Sequence, residues 1–167
     1  YPCANNYIDQ PGINQRIRSW MAERYDVRGD LYWSTVWYKT TNGVTRNPWT
    51  DPMCIGGVGN AALGNGEGLL HYPPVRTLPT GPVISGPIDS LRLKLIREGL
   101  EDGEYFWTLK NVLRRNFEKR GLSDPAVVEG FAARDQALGL VSAMDHFEQS
   151  PRRLMGVRNR IGIAIEA

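Results

Sequence analysis

The sequence is poor in the residues that cross-link or metallate small proteins. It holds two cysteines, Cys3 and Cys54, and two histidines, His71 and His146. No Cys-x-x-Cys spacing occurs, which leaves neither a disulfide framework nor a metal-ligand pattern. The two cysteines read as buried or partly buried thiols, since unbonded cysteine is among the most buried residue types. No apolar run approaches the ~18 residues that a membrane-crossing helix needs. An excess of charge is missing too. The formal net charge is +2, and the Lys and Arg residues are scattered rather than striped, so nothing electrostatic points to nucleic acid or an anionic membrane. There is no internal repeat and no low-complexity tract. The chain starts Tyr-Pro-Cys, with neither Met nor a basic-then-apolar leader pattern, and the simplest reading is a piece of a longer chain.

What is present suffices for a core: 167 residues, 41% of them hydrophobic. The character changes near residue 87. Before it lie most of the Gly, Pro, Asn and Trp; after it the chain reads as helices almost throughout. Asp9-Gln10-Pro11 is a helix start, and Ile13, Ile17, Trp20 and Met21 recur at helical spacing to about Arg24. Past Gly29, Leu31-Tyr32-Trp33-Ser34-Thr35-Val36-Trp37-Tyr38 is aromatic and β-branched and reads as a strand. Residues 39–66 have loop composition, long enough to expect a functional loop. Gly68-Leu69-Leu70-His71-Tyr72 reads as a second strand, stopped by Pro73-Pro74. After Pro87 a long helix is predicted, with Ile88, Leu91, Leu95, Ile96, Leu100, Phe106, Leu109, Val112, Leu113 and Phe117 near one face and Gly121 at its end. Asp124-Pro125 and Ser150-Pro151 open two further helices. In that tail Phe131, Leu138, Val141, Met144 and Phe147 are placed to pack on Leu154, Val157, Ile161 and Ile165.

Four phrases stand out in order. They are Asn6-Tyr7-Ile8-Asp9-Gln10-Pro11-Gly12 with Arg16 and Trp20; Gly29-Asp30-Leu31-Tyr32-Trp33-Ser34 with Trp37; Gly66-Glu67-Gly68-Leu69-Leu70-His71-Tyr72-Pro73; and Gly86-Pro87-Ile88-Asp89-Ser90-Leu91-Arg92 running into Arg97-Glu98-Gly99-Leu100-Glu101-Asp102-Gly103-Glu104-Tyr105. Across residues 1–115 the chain resembles the domain-of-unknown-function family 4091, the later part of the catalytic barrel in glycoside hydrolase family 123 and its relatives. Gly103 departs from the family's usual Tyr. The resemblance implies an α/β fold: the carboxy-terminal portion of a (β/α)₈ barrel over residues 1–120, with two or three short parallel strands, a long closing helix and sugar-binding loops at 34–73. A helical tail, 121–167, would pack on it. In such barrels the site is built from loops after the carboxyl ends of strands. The resemblance also implies hydrolysis of a terminal β-linked N-acetylgalactosamine with retention, the substrate's own acetamide acting as nucleophile. An adjacent Asp-Glu pair on an earlier strand would serve the reaction. That pair is expected outside this chain. A secreted or cell-surface setting follows from the resemblance alone.

Sugars offer an apolar C–H face and a hydroxyl edge, so their sites combine rings with polar groups. Tyr32, Trp33, Trp37, Tyr38, Trp49 and Tyr72 supply rings; Asn65 and Glu67 supply polar groups. Strand alternation puts Trp33 and Trp37 on one face and Tyr32 and Tyr38 on the other, so one pair belongs to a core. Glu67, between two glycines, either takes sugar hydroxyls or pairs with an arginine such as Arg76 or Arg92. His71 reads as a satisfied core histidine. Glu101-Asp102 lies mid-helix with Arg97 in reach of Glu101, and reads as an ion-pair feature rather than a catalytic pair. Expected partners are a carbohydrate, in particular an N-acetylhexosamine-containing glycan, and the remainder of the parent chain. No cofactor and no metal are expected. The alternative is a non-catalytic carbohydrate-binding or structural domain of a larger surface protein.

Overall fold

The computed structural model describes residues 3–38, 45, 47–51, 65–76 and 83–167. The fold is mixed α/β, about half helical, with a few short antiparallel strands. In chain order the elements are α1 (Ile13–Arg16), α2 (Arg18–Arg24), β1 (His71–Tyr72), β2 (Val75–Arg76), β3 (Val83–Ile84), β4 (Ile88–Asp89), α3 (Leu91–Arg120), α4 (Pro125–Leu138), β5 (Val141–Ala143), β6 (His146–Phe147) and α5 (Pro151–Glu166). They form two compact units. The first gathers residues 1–4, 13–29 and 96–167; the second gathers 5–12 and 30–95.

The first unit is built by helices whose apolar stripes converge. Ile13, Ile17, Trp20 and Met21 are all buried, as their spacing predicts. They meet Phe106, Leu109 and Leu113 of α3, Ala133 and Ala137 of α4, and Leu154, Val157 and Ile161 of α5. Trp20 stacks edge-on against Phe106, with ring centroids 5.0 Å apart. Leu100 stays exposed because it lies six residues before Phe106, roughly 120° round the helix. Leu91 and Phe117 are exposed as well.

Helix ends follow local chemistry. The Ser90 hydroxyl accepts from the Leu93 amide at 3.2 Å, so α3 begins at Leu91, and Ile88, expected on its face, lies in β4 instead. Gly121 takes the left-handed φ of +77° and its amide reaches the Phe117 carbonyl, closing α3. Asp124 caps α4 through the Ala126 amide at 3.0 Å, and Ser150 caps α5 through the Arg153 amide at 3.3 Å. Replacing Asp124 with Ala should lower stability by about 1 kcal/mol, read as a shift of the urea midpoint at unchanged slope.

Three sequence expectations are corrected. First, the strands pair antiparallel, not parallel: β1 with β4 (His71 opposite Asp89, Tyr72 opposite Ile88) and β2 with β3 (Val75 opposite Ile84, Arg76 opposite Val83). A parallel pair needs a crossover, usually a helix; here the chain between β1 and β4 folds back as β2 and β3. Pro73 and Pro74 lie between the two ladders on one arm, and Ser85, Gly86 and Pro87 on the other. That two-against-three mismatch has the form of a bulge, and Gly86 has the positive φ of +78° that bulges favour. Second, residues 31–38 are not a regular strand. Only Val36 bridges, antiparallel, to Leu69. The Thr35 carbonyl accepts from both Leu70 and His71, and the Ser34 hydroxyl accepts from the Val36 amide at 3.4 Å, local bonding that competes with a ladder. Third, the tail is not helical throughout. The β5–β6 hairpin separates α4 from α5, with Val141 buried in the core and Met144 exposed at its turn. Phe131 also faces outward. Cys3, expected buried or partly buried, is exposed at a bend, and Cys54 lies outside the described residues.

Candidate functional site

All eight residues singled out for carbohydrate binding fall in the second unit. Glycines shape the turn that carries Glu67. Gly66 and Gly68 have φ of +73° and +69°, so residues 65–68 form a turn and regular pairing starts only at His71. A Cβ on Gly68 would fall on the Trp33 ring and 3.1 Å from the Trp37 Cβ; only glycine lets the rings close over this turn.

Trp33 donates its indole N–H to the Glu67 Oε1 at 2.7 Å. Trp37 meets Trp33 edge-on, centroids 5.5 Å apart. Both rings are exposed, Trp33 by 48% and Trp37 by 37%, although residues this apolar favour burial. A carboxylate has about four acceptor sites, so the bond to Trp33 leaves Glu67 with acceptor capacity. Trp49 forms a second ring pair with Tyr72, centroids 4.7 Å apart. An Asn47-Pro48 turn presents Trp49: the Asn47 side chain accepts from the Trp49 amide at 3.1 Å, and the Trp49 indole donates to the Pro73 carbonyl at 3.1 Å.

The other two tyrosines are spent on the frame. The Tyr32 hydroxyl accepts from the Gly68 amide at 2.7 Å. The Tyr38 hydroxyl donates to the His71 carbonyl at 2.7 Å. The two tryptophans are exposed, while the two half-buried tyrosines are tied to the backbone of 68–71. Asn65 is half-buried; its side-chain amide donates to Asp9 Oδ1 at 3.1 Å, and its backbone carbonyl accepts from the Ile8 amide at 2.9 Å.

His71 is half-buried, its Nδ1 at 3.1 Å from Asp89 Oδ1, and Lys94 reaches Asp89 Oδ2 at 2.6 Å. The Lys94 hydrogen bond, helped by His71, holds the Asp89 carboxyl below the usual carboxylate range. Glu101 pairs with Arg97 at 3.5 Å, and Asp102 is buried among Arg16, Trp20 and Arg158, so both members of this acidic doublet are engaged in ion pairs. No group of three or more His, Cys, Asp or Glu side chains among the described residues could hold a metal ion, and no helix among them is long and apolar enough to cross a membrane.

Arg92 is the residue of this region whose role the pattern does not disclose. The sequence offers it, beside Arg76, as an alternative partner for Glu67, yet its guanidinium is buried and bonds backbone carbonyls of Asn6, Gly66 and Leu69. The signal in the sequence is an arginine between Leu91 and Leu93 at the first turn of an amphipathic helix. No protein-family model and no curated protein matches the chain.

Proposed function

We propose that the exposed rings around Glu67 form a carbohydrate-binding surface. The chain then acts as the substrate-binding part of a glycoside hydrolase resembling the retaining, substrate-assisted β-N-acetylgalactosaminidases, in the later portion of a (β/α)₈ barrel, with the catalytic Asp-Glu pair outside it. The observation that carries the reading is the Trp33–Glu67 contact of 2.7 Å beside Trp37 at an exposed surface. A ring face and a charged acceptor held one hydrogen bond apart match the apolar face and hydroxyl edge of a pyranose. The Trp49–Tyr72 pair adds rings of the same kind, and a non-reducing N-acetylhexosamine is the ligand class the resemblance favours.

A non-catalytic carbohydrate-binding role uses the same rings. What supports it within this chain is the engagement of Asp102 with two arginines, which occupies one member of its single adjacent acidic doublet.

The test is a calorimetric titration with methyl β-N-acetylgalactosaminide, beside methyl glucoside. Saturable binding of the first is expected, with Trp33→Ala and Glu67→Gln each weakening it about tenfold, the scale of one ring contact or one charge-assisted hydrogen bond. A flat titration up to about 10 mM sugar, tenfold above a dissociation constant of about 1 mM, sinks the carbohydrate reading. Turnover of a chromogenic N-acetylgalactosaminide by the chain alone would contradict the placement of the acid/base pair elsewhere.

A further inference from the structure

Arg92 is an unusual charge. It is 7% exposed, and no ion pair joins it to a carboxylate among the described residues, whereas buried arginines are normally paired. Its donors go to backbone instead. One terminal nitrogen donates to the carbonyls of Asn6 and Gly66, the latter at 2.8 Å; the other donates to the Leu69 carbonyl and reaches the Tyr72 hydroxyl at 3.4 Å.

The positions of these acceptors are informative. Gly66 and Leu69 bracket Glu67 and Gly68, so the guanidinium holds the backbone on both sides of the carboxylate that Trp33 contacts. Asn6 belongs to the segment whose Ile8 amide binds the Asn65 carbonyl. Tyr72 carries the ring that meets Trp49. The planar fork therefore ties one chain segment, the Glu67 turn and the second ring pair to a single rigid group. Fit is tight: a Cβ on Gly66 would sit 2.7 and 2.8 Å from the two terminal nitrogens and 2.8 Å from Ile8 Cγ1.

We infer that Arg92 is the positioning residue of the site: it touches no ligand and sets the geometry of Glu67, and through it of the Trp33–Trp37 pair, by clamping the carbonyls on either side of Glu67. Its affinity consequence rests on the carbohydrate reading; its structural consequence does not. A lysine presents three donors from one point and cannot span carbonyls that two separate nitrogens now hold. Charge is retained in Arg92→Lys while the clamp is lost.

Two readouts on the full chain separate these consequences. The Trp33–Trp37 contact gives an exciton couplet in circular dichroism, assigned by its disappearance in Trp37→Phe. In Arg92→Lys the couplet should fall by more than about half, and binding of methyl β-N-acetylgalactosaminide should weaken at least about tenfold, the equivalent of one charge-assisted hydrogen bond, with cooperative melting retained. Should Arg92→Lys fail to melt cooperatively, Arg92→Gln takes its place. It keeps much of the stem, offers donors from a single nitrogen, and is expected to reduce the couplet in the same way. A full couplet in the folded variant overturns the inference, and so does weakened binding with the couplet intact. A reduced couplet in a chain whose wild type binds no sugar upholds the positioning role and sinks the carbohydrate reading instead.

Discussion

Asp102→Ala is expected to cost the first unit about 3–5 kcal/mol, the usual penalty for removing one partner of a buried ion pair. Asp102 is 1% exposed, and four donor contacts converge on it. Arg16 Nε reaches Oδ2 at 2.7 Å and its second nitrogen reaches Oδ1 at 2.8 Å; the Trp20 indole donates to Oδ2 at 2.9 Å; Arg158 Nε donates to Oδ1 at 2.7 Å. Arg158 also lies over the Tyr105 ring, 4.1 Å from its centroid. One carboxylate thus joins α1, α2 and α5 to α3. Deleting it leaves two guanidinium groups with nothing between them and strands the Trp20 N–H in the core. Asp102→Asn keeps the shape and loses the charge, so it should fall between the wild type and Asp102→Ala.

Urea denaturation at neutral pH is the measurement, the loss appearing in the midpoint rather than the slope. A change below about 1 kcal/mol, the range of an exposed pair, would mean that the cluster is not holding the helices. The pH dependence has a definite sign. The Asp102 hydrogen bond raises the Arg16 guanidinium above its ordinary value, against burial that lowers it. A raised pKa contributes stability that is fully present below the unfolded value and is lost only as pH climbs through the folded one. Through Arg16, then, the lock is insensitive to pH anywhere near neutrality.

The same cluster shows what was legible in the sequence. Arg16 and Trp20 sit in the first of the four phrases, and Gly99, Asp102 and Tyr105 in the last; in space they form one helix-locking knot. Trp33 and Trp37 come from the second, Glu67 from the third and Arg92 from the start of the last, and these meet at the candidate site. Helices with strong apolar periodicity or with Asp-Pro and Ser-Pro starts were readable because those signals are local. The two-residue strands were not. Their pairing depends on which carbonyls neighbouring amides find, and that has no period. Ring chemistry was readable as residue type alone. That Tyr32 and Tyr38 spend their hydroxyls on the backbone, and that Arg92 serves carbonyls rather than Glu67, depends on main-chain acceptors, which every residue has and no sequence pattern distinguishes.

Gly99 and Gly103 of α3 should respond to the same substitution with opposite signs. In an exposed helix interior, Gly→Ala gains about 1 kcal/mol from propensity and unfolded-state entropy. At Gly103 that gain should survive, because a new Cβ meets only Ser19, at 3.8 Å from its Cβ. At Gly99 the new methyl lies 2.6 Å from the Arg16 carbonyl oxygen and 3.2 Å from that residue's carbonyl carbon and Cα. Those are backbone atoms of α1 and cannot swing aside as a side chain would, so α1 must move away from α3. Such overpacking costs about 1–3 kcal/mol, and here displacement of Arg16 also loosens its two bonds to Asp102, so Gly99→Ala should lose about 2–3 kcal/mol net. The coupling is measurable. In a double-mutant cycle with Asp102→Ala the two losses should fall short of additivity by about 1 kcal/mol or more, as for residues sharing a network, because once the carboxylate is gone a displaced Arg16 has little left to lose. Additive losses would mean that the close approach of α1 to α3 and the burial of Asp102 are independent features of the fold.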